Sequence, residues 1–126
     1  MTTRQIEARQ RELNRLWADR NGGEVCGCAK LITPEEQREY EELSLRRMII
    51  SDFCYGGASC SGIYDERTGR WHERYGYPYA EKIGFERALE VFKEQRAFLQ
   101  KHATVHYNVH TDHEGCSYNS ISWDVY

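Results

Sequence analysis

Several signals that would assign a cellular location are missing from this chain of 126 residues. No apolar run approaches the roughly 20 residues needed to cross a bilayer, and the first ten residues lack the apolar core of a secretory signal. We therefore expect a small soluble cytoplasmic protein with no membrane partner. The net charge of −3 offers no general attraction to nucleic acid, which argues against a nucleic-acid partner.

Motifs that identify a reaction or a cofactor are missing as well. The glycine-rich segment 56–62 lacks the lysine and the following helix of a phosphate-binding loop. Ser120 or Ser122 with His106 and Asp124 would share one predicted sheet face, but a flat face lacks the water-excluding pocket and the strained nucleophile turn of a hydrolase. The sequence leaves catalysis undecided, favours a non-catalytic role and indicates no cofactor except the zinc considered below.

Length and the order of patterns predict one domain over residues 1–126 with its own core. Residues 1–50 should form a helical hairpin, and residues 51–126 a β-hairpin, a helix and a second β-hairpin. We therefore predict an α+β fold: an N-terminal helical hairpin, then antiparallel β-hairpins with one long helix packed on the sheet.

The helix predictions follow from periodicity and end signals. A first helix is expected over residues 3–20, with an apolar face formed by Ile6, Leu13, Leu16 and Trp17. The second helix should begin at Pro34, because Thr33 is a favourable cap and Glu36 completes a capping box. The pattern does not determine where this helix ends, since the apolar run 48–55 fits either a helix or a strand.

The third helix is predicted over residues 80–102, with an apolar stripe wide enough to cover a sheet. That stripe consists of Phe85, Ala88, Leu89, Phe92 and Leu99.

A short hairpin and an aromatic loop precede the third helix. The turn 66–69 should bring Tyr64 opposite Trp71. The loop 75–79 carries Tyr75 and Tyr77 among glycine and proline. If these rings stay exposed, they are natural interface anchors, because tyrosine offers a large contact area at low entropy cost. We therefore include both tyrosines among the candidate binding residues.

Residues 104–126 alternate apolar and polar side chains and contain no lysine or arginine. The alternation predicts a β-hairpin around the turn 113–115, where Gly115 would supply a positive φ. This register pairs Asp112 with Cys116, Tyr107 with Ile121 and Val105 with Trp123. Val105, Tyr107 and Val109 then belong to the face that we expect to be buried.

The opposite face of this hairpin is the candidate binding site. Two interpretations remain open, a solvated outer sheet face and a surface that binds a partner or ligand by hydrogen bonds. A metal clamp is excluded for His106 and His110, because residues four apart on a strand are roughly 13 Å apart. We call this surface the polar face; its members are His106, Asn108, His110, Tyr118, Ser120 and Ser122.

The five cysteines, in a chain without a recognisable export signal, suit reduced thiols. Cys26 and Cys28 form one close pair and Cys54 and Cys60 another, and two pairs are what a structural zinc site needs. Neither pair has the usual two-residue spacing, so ordinary thiols compete with the zinc hypothesis.

These observations favour a small intracellular binding protein, such as an inhibitor or adaptor, that acts by protein contact. Accessory proteins of phages and mobile elements often have this profile of size and composition. One alternative is a protein that binds or sequesters a small polar or nucleotide-like ligand, and another is a zinc-stabilised binding module. The sequence leaves homo-oligomerisation open.

Overall fold

A computed structural model describes residues 1–22, 31–56, 60 and 62–125, without the side chains of 120–123. The described residues contain both helices and small antiparallel sheets, which agrees with the predicted α+β class. The elements in chain order are α1 (Thr3–Arg20), α2 (Pro34–Gly56), β1 (Tyr64–Asp65), β2 (Arg70–Trp71), α3 (Tyr77–Ile83), α4 (Phe85–His102), β3 (Thr104–Thr111) and β4 (Ser117–Asp124).

Reciprocal capping boxes begin both N-terminal helices. In α2, the Thr33 hydroxyl accepts from the Glu36 amide at 3.2 Å, and the Thr33 amide donates to the Glu36 carboxylate at the same distance. This confirms the predicted start of α2. The run 48–55 is helical, because α2 continues to Gly56 and buries Ile49 and Phe53 four residues apart on one face.

The α1–α2 contact combines apolar packing with a buried amide. Ile6 and Leu13 are fully buried, and the rings of Trp17 and Tyr40 lie 5.3 Å apart. Leu16, predicted to face the core, is 41% exposed. Gln10 is buried instead, and its Nε2 donates to the Ser44 hydroxyl at 3.1 Å, which satisfies one polar group inside the interface.

The predicted third helix is divided into two. Gly84 has a φ of 94°, which ends α3 and begins α4, and glycine adopts this conformation without the steric cost of a side chain. Helical structure also begins earlier than predicted. Tyr77 is the first residue of α3 and Pro78 lies in its first turn, where proline is tolerated because the first amides lack helical partners.

The packing of α4 differs from the prediction of one long helix covering the sheet. The strands form two separate two-stranded sheets, β1–β2 and β3–β4. The main partner of α4 is α2, and α2 also contacts β4. Phe92 of α4 lies against the first hairpin, with its ring 5.1 Å from Tyr64 and 6.1 Å from Trp71.

A polar network is enclosed between α2 and α4. Arg46 is 4% exposed and Gln95 is completely buried. The Arg46 guanidinium donates to Gln95 Oε1 at 3.2 Å and lies 3.3 Å from the Glu94 carboxylate and 3.4 Å from that of Glu42. Gln95 Nε2 donates to the Met1 carbonyl at 2.8 Å. The network thus provides partners for a charge and an amide that would be costly to bury alone.

Candidate functional site

The turn of the C-terminal hairpin is built around Asp112. The Gly115 amide donates to the Asp112 carbonyl at 3.1 Å, and the Asp112 amide donates to the Cys116 carbonyl at 3.0 Å. Asp112 Oδ1 accepts from the amides of Glu114 and Cys116, both at 2.9 Å. Gly115 has a φ of 83°, as the bulged three-residue loop requires.

This turn fixes the strand register, and the register confirms the prediction. His106 lies opposite Ser122, Asn108 opposite Ser120, and His110 opposite Tyr118. His106, Asn108 and His110 therefore share one side of the sheet, since side chains two apart on a strand point the same way, and Tyr118 lies opposite His110.

One ring contact and one close imidazole–carboxylate pair organise the polar face. The rings of His110 and Tyr118 are stacked, with centroids 5.0 Å apart and planes at 20°. At the other end, His106 Nε2 lies 2.6 Å from Asp124 Oδ2. Tyr118 is 58% exposed, whereas Asn108 is partly buried. The face thus presents a stacked aromatic pair at one end and an imidazole close to a carboxylate at the other, groups suited to recognition by hydrogen bonds and ring contact.

The other face of the hairpin was expected to be buried, and its outer half is not. Tyr107 is 77% exposed and Val109 is 73% exposed, whereas Val105 is half-buried. The physical reason is that α4 lies mainly against α2, so within the described part of the chain no helix covers these two side chains. Val125, just beyond β4, is buried, so the hairpin is anchored at its base.

The two candidate tyrosines lie in different surroundings. The Tyr75 ring stacks on His72 with centroids 4.9 Å apart, and the Tyr77 ring lies 5.4 Å from Phe85. Tyr75 is 46% exposed and Tyr77 43% exposed. Each ring borders a separate recess of the surface.

The recess beside Tyr77 is an open groove of about 620 Å³ between the first hairpin and the α3–α4 junction. Four aromatic side chains line it, and three charged side chains stand around it. We call it the aromatic groove; its principal side chains are Tyr64, Arg70, Trp71, Glu73, Tyr77, Phe85, Glu86 and Leu89. The sequence suggested only the pairing of Tyr64 with Trp71, because the groove exists only once Phe92 brings that hairpin against α4.

The recess beside Tyr75 is a cleft of about 270 Å³ that contains Asp52. Among the described residues, Asp52 Oδ2 is the one buried side-chain oxygen without a hydrogen-bond partner. Burial raises the pKa of this carboxyl group, while the Gly62 amide and nearby His72 act in the opposite direction. No sequence signal singled out Asp52, because the cleft forms only where the end of α2 meets Gly62, Ile63 and Tyr75, which lie ten or more residues further along the chain.

The cysteine positions neither complete nor exclude a zinc site. Cys26 and Cys28 lie outside the described residues. Cys60 is 1% exposed and burial raises its pKa to about 12, whereas Cys54 is half-buried and has a pKa raised by burial and by Asp124. Among the described residues no group of three histidine, cysteine or acidic side chains could hold a metal ion. The zinc hypothesis stays a prediction.

Comparisons with protein-family models, with curated proteins and with solved structures found no match for this chain. In the part of the chain that the structure describes, no helix is both long enough and apolar enough to span a membrane. A functional conclusion therefore depends on the chemistry of the surfaces described above.

Proposed function

We propose that this protein acts by binding a protein partner through the polar face of its C-terminal hairpin, as a small intracellular inhibitor or adaptor without catalytic activity. The observation that supports the proposal is the stacked, exposed pair of His110 and Tyr118 on a hairpin whose base is held by the buried Val125. Tyrosine held by stacking loses little further freedom on binding, which is why such rings are frequent anchors of interfaces.

The hairpin also has little packing of its own within the described part of the chain, which favours a role in binding a partner. A two-stranded hairpin is marginally stable in water unless it packs against something further. In the described part of the chain Tyr107 and Val109 contribute little to such packing, since both are more than two-thirds exposed. A partner bound to the polar face would stabilise the folded hairpin, while Tyr107 and Val109 on the opposite face would stay exposed.

The test is a quantitative pull-down from cells that naturally make the protein. The variant His110→Ala/Tyr118→Ala is expected to bind the recovered partner at least about 30-fold more weakly, because loss of interface anchors typically costs 2 kcal/mol or more. Its melting temperature should stay within about 2 °C of wild type, since both side chains are at the surface.

The matched control is Tyr55→Ala/His113→Ala, which removes the same two side-chain types from outside the polar face. Both side chains are about 91% exposed, and this variant should bind as wild type does. If the polar-face variant retains the partner, or if both variants lose it equally, the polar face is the wrong surface.

A second candidate function is the binding of a small ligand in the aromatic groove. Its volume of about 620 Å³ lies within the usual range of ligand sites, and aromatic walls with a few charged groups suit a small polar or nucleotide-like molecule. A ligand should raise the melting temperature by mass action. That rise should disappear in Phe85→Ala, whose ring is 46% exposed, and persist in Tyr107→Ala.

The zinc-stabilised alternative has its own test. Chelation by EDTA would unfold a metal-dependent fold cooperatively. An unchanged melting temperature, together with a bare mass in native mass spectrometry, would rule this alternative out.

A further inference from the structure

The outer edge of β3 has backbone groups that the hairpin itself does not use. In an antiparallel pair, positions that exchange hydrogen bonds alternate with positions that do not. The Asp112 amide donates to the Cys116 carbonyl, so the bonded positions on β3 continue at His110, Asn108 and His106. Val105, Tyr107 and Val109 therefore direct their N–H and C=O groups away from β4.

Within the described residues no strand pairs with this outer edge, since β3 and β4 form a sheet of two strands. β4 contacts α2, whereas six of the eight residues of β3 are exposed. The pairing is continuous from Thr104 to Thr111, so no bulge interrupts the edge.

Exposed edge strands of this length usually carry a lysine, a proline, an inward-pointing charge or a bulge that prevents pairing with another chain. β3 has the sequence TVHYNVHT and contains no lysine, arginine, proline, aspartate or glutamate. It is rich in β-branched and aromatic residues, which favour sheet structure. The edge is therefore open to a further strand both in its backbone geometry and in its side chains.

We propose that β3 pairs with β3 of a second copy of this chain, antiparallel about a twofold axis, to form a four-stranded sheet. The proposal goes beyond the proposed function, and it would place the polar faces of both copies on one continuous surface. A binding partner would then meet two equivalent sites.

The sequence of β3 is compatible with itself in this arrangement. An axis at Tyr107 sets the two Tyr107 residues opposite each other and pairs Val105 of one copy with Val109 of the other. All three positions have outward-directed backbone groups, so they would form the bonded pairs of the new ladder. Aromatic and β-branched cross-strand pairs are favourable. Because β3 carries no lysine, arginine or carboxylate, the pairing brings no fixed like charges together.

The first test is sedimentation velocity of the full chain from low micromolar to sub-millimolar concentration, where a monomer–dimer equilibrium is expected. Val109→Pro should weaken dimerisation at least ten-fold, because proline removes an outward N–H and leaves the bonds between β3 and β4 intact. Asn119→Pro is the matched control. Asn119 lies opposite Val109 and directs its own N–H to the other edge of the hairpin, so this variant should dimerise as wild type does.

The second test reads the edge amides directly by hydrogen exchange in NMR spectra. The amides of 106, 108 and 110 should be protected at every concentration, since they bond to β4. The amides of 105, 107 and 109 should exchange rapidly in dilute samples and become protected in proportion to the dimer fraction.

Two results would overturn the proposal. One is a monomer at the highest concentration with unprotected amides at 105, 107 and 109. The other is a dimer that Val109→Pro leaves intact, which would mean that another surface is used. Neither result bears on the pull-down with the His110→Ala/Tyr118→Ala variant, so a failure of this inference is distinguishable from a failure of the proposed function.

Discussion

The buried thiol of Cys60 should be nearly inert in the folded protein. Its side chain is 1% exposed, its Sγ lies 3.8 Å from the Ile49 carbonyl, and burial raises its pKa from 9.0 to about 12, with a further contribution from Asp52. At pH 8 a thiol with a pKa of 9 is about one-tenth ionised, whereas one with a pKa of 12 is ionised to roughly one part in ten thousand. Because the thiolate is the nucleophile, the alkylation rate should fall about 1000-fold from ionisation alone.

The assay is a time course of iodoacetamide labelling at pH 8, followed by peptide mass spectrometry that resolves each cysteine. The exposed Cys116 serves as the internal reference, and the same reaction in denaturant should bring the two rates together. Labelling of native Cys60 within about ten-fold of the Cys116 rate would refute the reasoning.

The same pKa shift predicts how stability depends on pH. The folded state holds the Cys60 proton up to about pH 12, whereas the unfolded chain releases it near pH 9. The contribution is therefore complete below pH 9 and is lost as pH rises from 9 to 12, by at most about 1.4 kcal/mol per pH unit. Urea unfolding of wild type and of Cys60→Val isolates this effect, because the other alkaline groups are common to both. Parallel curves over that pH range would contradict the assignment.

Two further substitutions test the local geometry. Gly76→Ala would place a Cβ against the Ile63 carbonyl oxygen and the Trp71 ring. We therefore expect the free energy of unfolding to fall by about 2 kcal/mol or more, measured by thermal unfolding. An unchanged melting temperature would show that α3 does not lie so close to the first hairpin. Asp112→Ala removes the oxygen that accepts two turn amides and should lower the local stability of the C-terminal hairpin by about 1–2 kcal/mol, seen as faster amide exchange in β3. Asp112→Asn keeps an acceptor and should lose less than half of that; equal losses would assign the effect to charge.

Sequence patterns predicted the local structure of the chain well where one physical rule decides it. The capping box at Thr33 and Glu36 starts α2 as expected. The alternation around Gly115 fixed every pair of the last hairpin, because a shift of one residue would exchange its two faces.

Tertiary arrangement was less predictable, because it depends on which elements meet. The apolar stripe of the third helix does not say whether its cover is a sheet or another helix, and α4 packs mainly on α2. Phe85, a member of that stripe, is 46% exposed beside the aromatic groove. The exposure of Tyr107 has the same origin, since strand alternation identifies an apolar face but does not show which element, if any, packs on it. The register brought His110 and Tyr118 together as predicted, while the polar face as a binding site stays a proposal.

The buried network of Arg46 and Gln95 has a consequence for the uniqueness of the fold. Apolar helix surfaces tolerate small slides, because one leucine or valine can replace another along the contact. A slide of α4 along α2 by one helical turn, about 5.4 Å, would separate Arg46 from Gln95 and leave a guanidinium and an amide inside without partners. Every misaligned packing would carry this cost of burying unpaired polar groups, whereas the native packing does not. The network therefore favours one alignment of α4 on α2 over other alignments that would bury a similar apolar area.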